Sequence, residues 1–399
     1  MSQKPFIHKL TLRNFRSIRN ETVTFANPLF LVGRNGSGKS NFVDALAFLS
    51  ECMTIPLSSV IERKGGLGRI GYLETPLDAP YVSLRVDFRS NEGQSFNGFY
   101  AFQLMVTPDS RYEVAREQCK VTFSGSTSVW LNRIGSQIRS SVPGIQFAAS
   151  PLSLVLPLLG GVQDFAPLYQ SLAAMRVYKI EPDQISGIQS QDDEALLKRD
   201  GSNLISVLWR LARQKGQMTR LNELLQTVVP GVTPISPEFS TSGKSQLYFE
   251  QQWPRMKSVF EAAAMSSGTL YALGLVAVAL QEPAPSVSSI EEPELNIHPG
   301  ALEAIADIIN IAAERTQVVV TTHSPDLLDT KWIAPENLRV VEWDKGATHI
   351  SELGEAPVKA LQQHLMGAGE LLRANALDAA APSAPDSEDV SDLFDEDLV

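Results

Sequence analysis

Eight consecutive residues carry the chemistry that is most legible in this chain. Gly33-Arg34-Asn35-Gly36-Ser37-Gly38-Lys39-Ser40 fits the spacing G-x-x-x-x-G-K-[ST]. Gly33, Gly36 and Gly38 let the backbone take positive φ and come close to an anion. Successive N–H groups then converge on phosphate oxygens, and the N-terminus of a following helix adds its partial positive charge. Lys39 would reach the β and γ phosphates of a nucleotide as a point charge, and the Ser40 hydroxyl would ligate Mg²⁺. Arg34, Asn35, Ser37 and Asn41 complete the stretch expected to line the nucleotide.

Three later stretches could complete such a site. In Ile290-Glu291-Glu292-Pro293-Glu294, Glu291 would join the Mg²⁺ shell and Glu292 would orient or deprotonate an attacking water. A solvated acidic turn before a helix would look similar. His323 follows the apolar run Gln317 to Thr322, at the edge of a sheet where a polar side chain points into a ligand crevice. Met265-Ser266-Ser267-Gly268-Thr269-Leu270 opens an apolar helix, so Ser266 and Gly268 could form a second anion site. A plain serine N-cap is the simpler role, and the two are compatible.

Elements must position these residues. Residues 6–13 and 21–25 alternate apolar and polar as strands do, and Pro28 to Val32 reads as a short buried strand before the glycine loop. Asn41 to Ser50 has helical spacing. Residues 81–88, 97–106 and 112–123 read as antiparallel strands. From 128 to 230 the pattern turns mainly helical, with candidates at 152–159, 165–174, 203–213 and 219–228. Pro230 to Pro237 reads as a link, 246–252 as a strand, and helix and strand then alternate through 266–280, 287–294, 317–323 and 338–343. That alternation implies a parallel sheet. Residues 356–373 suggest a last helix.

Bulk properties exclude several classes. The 399 residues allow two or three domains or one domain with an insertion. Two cysteines, Cys52 and Cys119, make no disulfide or metal framework, so a reduced, cytosolic protein is expected. The longest apolar run, Leu270 to Leu280, is too short to cross a bilayer, and no membrane role is expected. Eight carboxylates lie between Ala374 and Val399 without a Lys or Arg; removing them from the net charge of −11 leaves −3. The acidic balance therefore does not speak against contact with nucleic acid. No helix-turn-helix, zinc finger or continuous basic stripe is present.

Taken in order, these pieces resemble the ABC-type ATPase heads of the RecF/SMC-like group. They are more similar still to single-chain bacterial AAA-family ATPases related to the ATPase part of OLD proteins. LTLRNFRSI resembles the group's opening strand and turn, GRNGSGKSN its Walker A, MSSGTL its signature, IEEPELNIHP its Walker B and D-loop, and TTHSPDLLD its switch region. The resemblance implies an α/β fold, a P-loop NTPase of ABC-ATPase head type with an antiparallel β lobe and a helical insertion. It implies head segments at 1–127 and 238–376 and an insertion at 128–237; the remainder at 377–399, rich in Ala, Pro, Asp and Glu, reads by composition as a disordered acidic tail. It also implies ATP and Mg²⁺ as ligands, with Glu292 as catalytic base, Lys39 on the phosphates and His323 as switch histidine. Ser266 and Gly268 would contact ATP held by a second subunit, Asn296 would lie in the D-loop across that interface, and Arg16 would approach the nucleotide. An ATP-dependent homodimer acting with a nuclease, toxin or double-stranded DNA is the implied function. Ser267 departs from the Asp or Gly of many relatives, and Ser286 to Ser289 make the Walker B strand less apolar than usual.

Overall fold

The computed structural model describes residues 6–72, 81–90, 96–107, 109, 111–123, 128–144, 149–232, 235–239, 244–253, 256–380 and 393–398. The chain divides into two compact units. The first comprises residues 4–175, 336–355 and 378–399. Its main sheet is antiparallel throughout and built from β1 (Ile7–Phe15), β2 (Ile18–Thr24), β4 (Tyr81–Ser90), β5 (Phe96–Val106), β6 (Tyr112–Phe123), β7 (Val129–Ile134) and β8 (Gln137–Ser140). The strand order is β2-β1-β4-β5-β6-β7-β8. The same unit holds β3 (Leu29–Val32), fully buried and parallel to β16 (Leu338–Asp344), which pairs with β17 (Ala347–Ser351). Helix α1 (Lys39–Thr54) follows β3, then α2 (Leu57–Arg63), α3 (Leu67–Ile70) and α4 (Ala166–Ala173). One face of the sheet packs on α1, with the Phe48 and Phe102 rings 6.2 Å apart.

The second unit comprises residues 176–335 and 356–377. Three parallel strands form its centre: β9 (Arg176–Tyr178), β14 (Val287–Glu291) and β15 (Gln317–Thr322). β14 and β15 are almost entirely buried, which is why β15 carries the unbroken run Val318-Val319-Val320 rather than an alternation. Around them lie α5 (Pro182–Ser186), α6 (Leu204–Ala212), α7 (Gln217–Val228), α8 (Ser267–Leu280), α9 (Leu302–Ala313), α10 (Pro325–Leu328), α11 (Glu355–Gln362) and α12 (Ala368–Arg373). α8 is buried from Thr269 to Leu280, consistent with a helix apolar on all sides. A small antiparallel sheet joins β10 (Gln189–Ser190), β11 (Ile235–Phe239), β12 (Lys244–Trp253) and β13 (Met256–Glu261).

Several expected boundaries move. Residues 128–140, expected in the helical insertion, are the last two strands of the antiparallel sheet, turned at Gly135 with φ +56°. The expected helix at 152–159 is a single 3₁₀ turn at Leu156–Leu159. Its backbone groups are taken by two buried side chains: Glu117 accepts from the N–H of Val155 (2.7 Å) and Leu156 (2.9 Å), and Arg133 donates to the carbonyls of Ser153 (2.6 Å) and Ser150 (3.0 Å). From Arg176 onward the chain joins the second unit, so 128–237 is not one insertion. Part of the expected link at 230–237 is strand β11, and the expected last helix breaks into α11 and α12. Of the tail expected to be disordered at 377–399, residues 381–392 and 399 lie outside the described residues. Residues 378–380 bridge to Leu353, and Leu393–Leu398 packs on the antiparallel sheet. For residues 393–398 that packing replaces the expected disorder.

Candidate functional site

The glycine loop leaves the buried end of β3 and enters α1. Gly33 runs against β16, where an added Cβ would lie 2.2 Å from the Val341 carbonyl oxygen. Gly36 and Gly38 take φ of +79° and +101°, the left-handed conformation expected of them. Gly38 caps α1 without a side-chain hydrogen bond, and no acidic residue stands in the helix's first turn. An anion at this N-terminus therefore meets no competing carboxylate from that turn. Lys39 is buried and its Nζ donates to the loop carbonyls of Gly33 (2.7 Å) and Arg34 (3.0 Å), so the ammonium lies against the loop. Arg34, Asn35, Gly36 and Ser40 are exposed along the loop, while Ser37 is buried with no partner for its hydroxyl.

Residues far away in sequence fix the loop's shape. Thr348 on β17 is buried; its Oγ1 donates to the Ser37 carbonyl at 2.9 Å and lies 2.7 Å from Ser17 Oγ. Asn41 Nδ2 donates to that same Ser17 hydroxyl at 2.6 Å. Arg16, in the turn between β1 and β2 at φ +53°, reaches α1 and donates from Nε to Asp44 at 2.8 Å; Lys64 holds the other Asp44 oxygen at 2.7 Å. Thr348, Ser17, Asp44 and Lys64 were not foreseen from the sequence.

In the second unit the acidic end of β14, His323 and the start of α8 lie together. Glu291 ends β14 in register with Thr321 on β15. Glu292 follows at φ +47°, with its N–H on the Thr321 carbonyl at 3.0 Å and its own carbonyl taking the Tyr271 hydroxyl at 3.1 Å. Burial, then the charges of Glu294, Glu292 and Glu291, push the Tyr271 hydroxyl well above its ordinary range, so it stays a donor. Arg199 Nη2 holds the Glu291 carboxylate at 2.8 Å. Glu294 Oε1 accepts from Thr322 Oγ1 (2.7 Å) and from the His323 N–H (3.0 Å). The His323 Nδ1 lies 3.4 Å from Glu294 and 3.8 Å from Glu292. Glu294 and Arg199 thus join the expected pair; Glu294 stood in the motif without an assigned role, and nothing in the sequence pointed to Arg199.

Ser266 caps α8, accepting the Thr269 N–H at 3.2 Å. Ser266 and Ser267 are exposed. Gly268 is required by its neighbour: an added Cβ would stand 2.5 Å from the carbonyl oxygen of Asn296, itself at φ +62°. The start of α8 and the turn at Asn296 are therefore in contact. Exposed Leu295 and Asn296 sit beside them. Among the described residues no group of three or more His, Cys, Asp or Glu is arranged to hold a metal ion. Among those residues, too, no helix is long and apolar enough to cross a membrane.

Comparison with known proteins follows the same division. Residues 180–329 match the family described as "AAA domain, putative AbiEii toxin, Type IV TA system", and residues 9–133 match an AAA domain family. The Old nuclease of Escherichia phage P2 is 22% identical over 355 residues, covering 82% of this chain and 57% of that protein. The DNA replication and repair protein RecF of Rickettsia felis is 46% identical over 43 residues, which are 10% of this chain and 12% of RecF. The chain thus spans less than two thirds of either relative's length. A solved Smc head bound to the C-winged helix domain of ScpA aligns with TM-score 0.53 at 17% identity, covering 89% of this chain and 100% of that one. An Smc head domain with an extended coiled coil from Pyrococcus furiosus aligns at 0.50 and 16% identity, covering 91% and 100%. At such identity these two structures speak to the fold. Phosphate loop, antiparallel lobe, parallel strands with their acidic end, and these likenesses agree: each half of the chain carries an AAA-domain match, the fold is that of RecF/SMC-like ABC-type ATPase heads, and the sequence bears a distant likeness to the Old nuclease.

Proposed function

We propose that the chain binds ATP with Mg²⁺ at the glycine loop, hydrolyses it, and uses the nucleotide to hold two copies together as a switch. The observation that carries this reading is the loop itself: positive φ at Gly36 and Gly38, at the N-terminus of a 16-residue helix with no acid in its first turn, and Lys39 lying against it. In this reading the loop N–H groups and Lys39 bind the phosphates. Ser40 and Glu291 are the protein's ligands for Mg²⁺, which supplies charge neutralisation at the phosphates when bound. Glu292 accepts the proton of the attacking water, and His323 hydrogen-bonds the γ-phosphate or that water.

Exposed Ser266, Gly268 at a helix N-terminus, and the neighbouring Leu295 and Asn296 are the surface assigned to the second copy and its nucleotide. Contacts present only in the closed pair make binding favour closure, and loss of the γ-phosphate reverses it. Action with a nuclease, a toxin or double-stranded DNA, in genome maintenance or phage defence, rests on the likeness to Old nuclease and RecF alone.

The test is a Glu292→Gln variant on a sizing column. With ATP it should run as a dimer; if it stays monomeric, the switch is wrong. Phosphate release with and without double-stranded DNA, at two salt concentrations, tests the nucleic-acid part.

A second reading, a nucleotide-dependent interaction module with little hydrolysis, has one observation in its favour: Arg199 already occupies the Glu291 carboxylate. Equal, slow phosphate release by wild type and Lys39→Ala would select it.

A further inference from the structure

The antiparallel sheet has a second face, turned away from α1, and residues 393–398 lie on it. The pairing register aligns two rows of side chains across four strands on that face. One row is Arg85, Ala101, Gln118 and Asn132; the next is Asp87, Phe99, Lys120 and Trp130. The apolar part of the contact is Leu393, Phe394 and Leu398 on Phe99 and Ala101, with Trp130 beside them.

The polar part is read from the backbone. The Gln118 amide pairs with Asp395 as a peptide group would: Nε2 donates to the Asp395 carbonyl at 3.1 Å, and Oε1 accepts the Asp395 N–H at 2.8 Å. Asn132 Nδ2 donates to the Leu398 carbonyl at 2.9 Å, and Arg85 Nη1 to that of Leu393 at 3.0 Å. Side chains add selectivity. Lys120 pairs with the Asp395 carboxylate at 3.1 Å, and the Arg116 guanidinium stacks 4.2 Å from the Phe394 ring centre. Gln118 and Asn132 are buried beneath the segment, amides on a sheet face whose other side is the apolar core.

Strand pairing does not hold the segment; a 3₁₀ turn at Glu396–Leu398 points it along the face. Apolar residues at positions one, two and six, an acid at three, and backbone groups met by fixed amides are how a surface recognises a short peptide. The stretch joining it to Ala380, APSAPDSEDVSD, holds a single large apolar residue, Val390.

We propose that this face of the lobe is a peptide-binding site for acidic, apolar-anchored sequences of the form Leu-Phe-Asp-x-x-Leu. The chain's own Leu393–Leu398 is its resident and exchangeable occupant. A tethered occupant competes at an effective concentration on the order of millimolar, so an external peptide enters only when the resident is disabled or displaced.

The test uses the full chain and a fluorescent synthetic peptide of residues 386–399. A Phe394→Ala, Leu398→Ala double variant, its fold checked by circular dichroism, should bind the peptide saturably. Wild type should bind it at least about tenfold more weakly because its own segment competes. Adding Gln118→Ala and Asn132→Ala to the double variant should abolish binding. A folded double variant that does not bind, or binding indifferent to Gln118 and Asn132, overturns the proposal. In a second form, a protease sequence placed at Ser387 is cut in the otherwise unaltered chain. The severed segment should stay bound and exchange with the labelled peptide. Precipitation on cutting, or failure to exchange, would make the segment an integral part of the core and equally end the proposal.

Discussion

The carboxylate of Glu294 accepts the backbone N–H of His323 at 3.0 Å, so the histidine is aimed by an acid two residues past the expected catalytic one. The same oxygen takes the Thr322 hydroxyl at 2.7 Å, which ties the end of β15 to the turn after β14. Glu294 is thus a positioning residue. Glu294→Ala should lower kcat for ATP hydrolysis by about ten- to a hundredfold with little change in KM, the pattern of an interaction that matters only in the transition state. Glu294→Gln, which keeps an acceptor oxygen, should retain most of the rate. Steady-state phosphate release reads both.

Arg199 holds the Glu291 carboxylate with its own guanidinium half exposed. A cation on that carboxylate competes with any metal that needs it. Arg199→Ala should therefore lower the Mg²⁺ concentration giving half-maximal binding of a fluorescent ATP analogue by about two- to tenfold, a coupling of the order expected for one charge-assisted hydrogen bond. Unchanged Mg²⁺ dependence would remove Glu291 from the metal shell.

Gly38 and Thr348 are fitted to each other: a Cβ on Gly38 would stand 1.9 Å from Thr348 Oγ1. Gly38→Ala should abolish nucleotide binding in a calorimetric titration. Adding Thr348→Ala should not restore it, because φ of +101° remains strained for alanine. Thr348→Val alone leaves buried polar groups unpaired, costing about 1–3 kcal/mol in urea unfolding.

Cys52 and Cys119 are both fully enclosed, and burial pushes each thiol above its ordinary range. A raised thiol value means less thiolate at any given pH, and alkylation proceeds through the thiolate. Both cysteines should resist a maleimide between pH 7 and 8.5 in the native chain and react fully in guanidinium, as mass spectrometry would show. Rapid native labelling of either would contradict the packing of α1 or β6.

What the sequence disclosed follows from how far each constraint reaches. A loop that wraps an anion restricts residue type at every position, so Gly33 to Ser40 stands out within eight residues. Ser17 and Thr348 shape the same loop through ordinary hydroxyls 331 positions apart, and no local pattern can record that. Glu294 was in view, but its role depends on the left-handed turn at Glu292, which redirects the chain after β14. The strands at 129–140 read as part of a helical region because Val129-Trp130-Leu131 puts three apolar residues in succession and gives no clean alternation; the hairpin signal was Gly135. Leu393, Phe394 and Leu398 were hidden by composition, three anchors averaged into an acidic stretch.

The hydroxyl of Thr348 on the Ser37 carbonyl has a temporal consequence. The phosphate motif is complete at Ser40, yet the strand that moulds it is not made until just over three hundred more residues have been added. Synthesis, at about 5–20 residues per second, leaves an interval of tens of seconds in which the motif is present and the cradle is not. In the reading proposed above, triphosphate capture therefore waits for β17, and a fragment released before that strand is made carries the phosphate motif without the contact that shapes it.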